Sequence, residues 1–141
     1  VRQIAFHRFE TRFHAERAQG EVGAARLGEI WLEEMGASLG PAVTLNEGYE
    51  HWWGYVSHFV HAPFYVYAYA FGDLLVAALM EKRAEDPAGF APLYRQLLAG
   101  GGTRTYVEAL APFGLDPRDP AFWTIGCRRL ERLVDQFEAA G

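Results

Sequence analysis

One tract constrains this chain more than any other feature. From His51 to Gly72 there is no Asp, Glu, Lys or Arg. Nearly half of the aromatic residues (four Trp, seven Tyr and ten Phe in all) lie between Tyr49 and Phe71, and so do three of the five histidines, His51, His58 and His61. An uncharged run of this length is either a buried segment or a membrane span, for which about 20 apolar residues suffice. Pro63 and the histidines interrupt it, and Asp73 falls inside any window extended to Leu74–Met80. Burial inside an all-helical protein is therefore the expectation, with no membrane partner.

The rest of the composition agrees with a single packed domain. The chain has 141 residues, half of them hydrophobic and 22% charged, which excludes a disordered or polar linker. The formal net charge is −5 and no Lys/Arg-rich run offsets it, so no nucleic-acid partner is expected. A single cysteine, Cys127, rules out an internal disulfide and any Cys-based zinc site. It stands beside Arg128 and Arg129 and is expected half-buried on a helix rather than reactive.

Helical periodicity runs throughout, and about six helices are expected. Phe6, Phe9 and Phe13 recur on one helical face, with Gly20 as the stop. Leu27, Ile30, Trp31 and Met35 mark a second helix that fades between Gly36 and Gly40. Asn46 is placed to cap a short helix containing Tyr49, Trp52 and Trp53, and residues 54–62 read as irregular. Pro63 suits the first position of a long helix ending near Glu85. Asp-Pro recurs at Asp86-Pro87, Asp116-Pro117 and Asp119-Pro120, the pairing expected at helix starts. Residues 87–99 should form one such helix, stopped by Gly100-Gly101-Gly102. Thr105-x-x-Glu108 is a capping box, and a final helix over residues 120–140 would bury Phe122, Ile125, Leu130, Leu133, Val134 and Phe137.

Most chemical motifs are absent or weak. There is no His-Glu-x-x-His, no Gly-x-Ser-x-Gly and no phosphate loop. His58-x-x-His61 lacks a third ligand at sensible spacing, and His7 and His14 are too far apart on a straight helix to share an ion. They read as surface or boundary histidines. The sharper feature is the tract from His58 to Gly72, in which a histidine-bearing loop feeds a tyrosine-rich helix start. From Pro63 onward, Tyr65 and Tyr69 would share a face at i, i+4, with Tyr67 pointing elsewhere. Hydrogen-bond donors beside an apolar wall are what a tetrahedral oxyanion needs. An ordinary buried helix with satisfied tyrosines would carry the same residues.

This tract resembles the C-terminal signature of oligoendopeptidase F, a branch of the thimet-oligopeptidase-like zinc metallopeptidases. The matching residues are Trp52 or Trp53, His58-Phe59, the run from Phe64 to Ala70, and Gly72. Arg2-Gln3 with Phe9-Glu10, Tyr94-x-x-Leu97-Leu98-x-Gly100-Gly101, and Gly114-Leu115-Asp116 with Phe122-Trp123 are similar to the family's flanking motifs and occur in the same order. The resemblance implies the all-α C-terminal helical subdomain of such a peptidase and a cleft that binds oligopeptides. It implies catalytic roles for His58, Tyr65 and Tyr67, with one or both tyrosines at the oxyanion or substrate. His61, Phe64 and Tyr69 are implied substrate contacts, and the location is the cytoplasm.

The family's zinc ligands and general base have no counterpart here; by the resemblance they precede Val1. Residues 1–141 are therefore expected to be a C-terminal fragment whose partners are the rest of the parent chain and an oligopeptide substrate. Zinc is expected in the full-length parent and no metal site in the fragment, which is predicted to be inert alone. Homo-oligomerisation through the exposed cleft face is compatible with this. The alternative is a stand-alone helical module that binds a peptide or partner helix through its aromatic groove without catalysis.

Overall fold

The computed structural model describes all 141 residues, Val1 to Gly141. It is helical with no β-strand. The helices are α1 (Arg2–Arg17), α2 (Ala24–Leu39), α3 (His58–His61), α4 (Tyr67–Glu85), α5 (Pro87–Gly100), α6 (Tyr106–Leu110) and α7 (Pro120–Ala140). Two 3₁₀ segments, Tyr49–Tyr55 and Ala111–Phe113, complete the set. The chain divides into two compact units, Val1–Ala70 and Phe71–Gly141, and the boundary falls within α4.

The first unit is built around Trp31. α1 supplies Ala5, Phe6 and Phe9 at helical spacing, α2 supplies Ile30, Trp31 and Met35, and Val56 and Val66 close the core. The Trp31 ring meets Phe6 at 5.2 Å and Phe9 edge-on at 5.3 Å, and Phe59 packs on Phe9 at 5.1 Å. Each such side chain contributes about 1.5–3 kcal/mol when fully buried, so the aromatic excess of the sequence is the principal cohesion of this unit. Ion pairs also join the same two helices. Arg26 grips Glu16 with two parallel hydrogen bonds of 2.9 and 2.8 Å, which raises the guanidinium's affinity for its proton and lowers that of the Glu16 carboxyl. Arg8 pairs with Glu34 at 2.9 Å.

In the second unit, Ala78 and Leu79 of α4 pack with Leu110, Phe113, Leu115 and Phe122. Gly126 is required by close approach: a Cβ there would lie 3.1 Å from the Leu74 Cα and carbonyl oxygen, inside the α4–α7 crossing. The capping box is complete, with Thr105 Oγ1 accepting from the Glu108 amide and the Glu108 carboxylate accepting from the Thr105 amide. Asp86 and Asp119 cap α5 and α7, accepting from the Gly89 and Ala121 amides at 2.9 Å. The remaining Asp-Pro pair behaves differently. Asp116 accepts from the Arg118 amide and guanidinium and closes a turn rather than opening a helix.

Several expectations are corrected. Asn46 does not cap through its side chain; its carbonyl accepts from the Tyr49 amide, and Gly48, at φ 90°, begins the 3₁₀ segment. Residues 54–62 are less irregular than expected, since they contain the end of that segment and the helical turn α3. The long helix starts at Tyr67, four residues after Pro63. Cys127 is exposed. Of the six apolar positions expected to be buried on α7, only Phe122 is, with Ile125 half-buried against the core; Leu130, Leu133, Val134 and Phe137 are exposed. The apolar stripe there continues past the last packing partner.

Asp116 yields a pH prediction. The Arg118 side chain and amide hold its carboxyl down to about 2, from the ordinary 3.8. A depressed folded-state value means this turn stabilises the protein above the ordinary value and loses that contribution as pH falls through about 2. A carboxyl NMR titration should find the Asp116 midpoint near 2 in the wild type and nearer 3.8 in Arg118→Ala. An unchanged midpoint would contradict the pairing.

Candidate functional site

The site is assembled by a turn rather than by a helix face. Ala62 lies outside the helical region, at φ −145° and ψ 67°, in keeping with the bias against helix in a residue that precedes proline. Phe64 then sits at φ 61°, the one non-glycine residue with positive φ. That left-handed conformation costs roughly 1–2 kcal/mol for an L-residue and prevents helix from forming at Pro63. Val66 is fully buried in the core of the first unit. The chain must turn inward to place it there, and only then does α4 begin.

Two groups on α1 hold this turn. The Phe64 amide donates to Glu10 Oε1 at 2.6 Å, and the Phe64 ring lies 4.5 Å from the His14 ring. Glu10 is 1% exposed and its second oxygen, Oε2, has no partner. His7 and His14 are half-buried, and His7 Nδ1 and His14 Nε2 likewise have none. His7, Glu10 and His14 follow one another at three and four residues along α1, a single helical face. The boundary reading of the histidines holds, but the polar stripe they form with Glu10 escaped sequence reasoning. The signal was the i, i+3, i+7 spacing inside an otherwise apolar face.

Above this support, three of the expected residues come together. The His58 and Tyr65 rings stack in parallel, 5.6 Å apart and 8° from coplanar. Tyr69 meets both edge-on, at 5.6 Å from His58 and 5.7 Å from Tyr65. The Tyr69 hydroxyl and His58 Nε2 are 3.1 Å apart. With the ring proton on Nδ1 the hydroxyl donates to Nε2; with it on Nε2 the ring donates instead. Tyr65 and Tyr69 thus meet as expected, although Tyr65 precedes the helix and the i, i+4 helical face is not the cause.

The other candidates stand apart. Tyr67 opens α4 and its ring faces His7 at 6.0 Å, while Phe64 packs on His14. His61 ends α3, is exposed, and joins neither the stack nor the Tyr69 hydrogen bond. Tyr65, Tyr67 and Tyr69 are each about half exposed. The site therefore offers hydroxyl donors and an imidazole at an aromatic surface open to solvent. No group of three His, Cys, Asp or Glu side chains is arranged to hold a metal ion. No helix is long and apolar enough to cross a membrane.

This all-helical chain matches a known protein family. The model for Peptidase family M3 matches residues 1–129, and the chain belongs to that family. It is 29% identical to the plasmid-encoded oligoendopeptidase F of Lactococcus lactis subsp. cremoris over 96% of its length, and equally to an oligoendopeptidase F homolog of Lactococcus lactis subsp. lactis. An oligoendopeptidase F homolog of Mycoplasma pneumoniae is 26% identical over 60% of the chain. The chain spans 24% of the length of the two lactococcal relatives and 14% of the mycoplasmal one. No solved structure matches.

The cluster geometry separates the tyrosines experimentally. Tyr69→Phe should change stability by less than about 1 kcal/mol but shift the His58 Nε2 resonance, because the hydroxyl partner is gone. Tyr67→Phe should leave that resonance in place. Equal effects from the two variants would contradict the arrangement.

Proposed function

We propose that this chain is the C-terminal part of a zinc metalloendopeptidase that hydrolyses oligopeptides, and that it supplies substrate-binding and oxyanion-stabilising groups. The observation that carries the reading is the His58–Tyr65–Tyr69 cluster, which lies inside the stretch matched by the M3 family. The names of the lactococcal relatives support an oligopeptide substrate.

The residues of this chain do not fit a zinc ion, since no donor set is present. The metal and the general base belong, in this reading, to a part of the parent outside residues 1–141. What these residues do is bind, orient and donate. The aromatic surface of Tyr65 and Tyr69 packs against the peptide and excludes water from the scissile bond. A tyrosine hydroxyl donates to the carbonyl oxygen as it gains negative charge, where a donor is worth more than it is to the ground-state carbonyl. Tyr65 is assigned this role first, because Tyr69 is already engaged with Nε2 of His58. His58 orders the two rings and contributes the third polar group. Tyr67, His61 and Phe64 are exposed and are assigned to substrate contact.

His58→Ala in the zinc-loaded parent tests the assignment. Losing one transition-state donor typically costs about 10²–10³ in kcat, so kcat should fall by far more than KM rises. An unchanged kcat would remove His58 from the mechanism, and absence of zinc-dependent peptide cleavage by the parent would remove the peptidase reading.

A further inference from the structure

Glu10 is a carboxyl side chain buried to 1% exposure, and its one hydrogen bond reaches 54 residues along the chain. Nothing in the catalytic reading uses it. A buried carboxylate without a cation is costly to keep, so what its one bond accomplishes is the informative question. The bond ends on the amide of Phe64, the residue with φ 61°, immediately before Tyr65. With Phe64 held in this conformation, the next side chain, Tyr65, stacks on His58 and touches Tyr69. Without the acceptor, Phe64 gains by relaxing to negative φ, and relaxation there re-aims Tyr65. Packing of Phe64 on His14 fixes the side chain but does not select the sign of φ.

We infer that Glu10 is a positioning residue for the proposed peptidase reaction: through the Phe64 amide it clamps the turn that presents Tyr65 to His58 and the substrate. This rests on the reading given above for the cluster. Glu10 touches neither substrate nor reacting atoms; its effect is transmitted through a backbone angle. The acceptor oxygen at the end of a two-methylene side chain is the essential feature, and the negative charge is not.

Three substitutions separate these properties. Glu10→Gln keeps an oxygen at the same reach. Glu10→Met keeps the length and apolar fill but has no oxygen, and replacing an unpaired buried charge by an apolar group is often tolerated or stabilising. Glu10→Asp keeps the charge and withdraws the oxygen by one methylene. In the 141-residue chain, the parallel Tyr65 ring should shift the His58 ring protons upfield, and Tyr65→Leu abolishes this as a control. Glu10→Gln should retain the shift, whereas Glu10→Met and Glu10→Asp should lose it. In the zinc-loaded parent, Glu10→Met should lower kcat by about tenfold to a hundredfold with KM within about threefold, and Glu10→Gln should stay within about threefold of wild type in kcat.

A Glu10→Met chain that keeps the His58 shift overturns the inference. So does a folded Glu10→Gln chain that loses it, since charge rather than reach would then matter. If Glu10→Met does not fold, Glu10→Asp is read by the same criterion. If the wild-type parent cleaves no peptide, the peptidase reading falls and the His58 spectra alone decide whether Glu10 sets the turn.

Discussion

The candidate site depends on the hydrogen bond from the Phe64 amide to buried Glu10. That bond joins α1 to the turn before α4 and holds Phe64 in a conformation that its side chain disfavours. The turn in turn delivers Val66 to the core and Tyr65 to the surface in consecutive steps of chain. Local strain of this kind persists only where surrounding packing over-determines it. Here the Trp31-centred aromatic core and the ion pairs between α1 and α2 provide that packing.

The aromatic tract has two jobs that the sequence alone runs together. Phe59 and Trp53 face inward and belong to the core of the first unit. Tyr65, Tyr67 and Tyr69 face solvent by about half and lie on the other side of the turn. The same run of uncharged residues thus supplies the core at one end and an exposed aromatic surface at the other. In the proposed peptidase that second part is the one assigned to substrate, and the metal chemistry lies outside this chain.

Helix content and most boundaries were legible because they rest on local chemistry. The capping box at Thr105, the Asp86 and Asp119 caps and the Phe6–Phe9 spacing each act within a few residues. Two failures share a cause in long-range contacts. Pro63 is a competent helix start by local rules, yet Glu10 and the burial of Val66 delay the helix to Tyr67. Leu130, Leu133, Val134 and Phe137 have an amphipathic pattern that fits burial, but nothing in residues 1–141 covers them. The site was legible as a list of residues and not as a constellation. His58, Tyr65 and Tyr69 assemble, whereas Tyr67 and Phe64 turn to the α1 histidines, because the sequence does not display the positive φ that divides them.

Amide hydrogen exchange at Phe64 tests the central constraint most directly. The residue lies in a turn with its side chain partly exposed, so an unanchored amide there would exchange as fast as a loop. Bonded to a carboxylate that is itself buried, it should instead exchange only when the first unit opens, at a rate like that of the Phe9 amide in α1. Exchange of Phe64 at the rate of an open loop, with Phe9 still protected, would contradict the account.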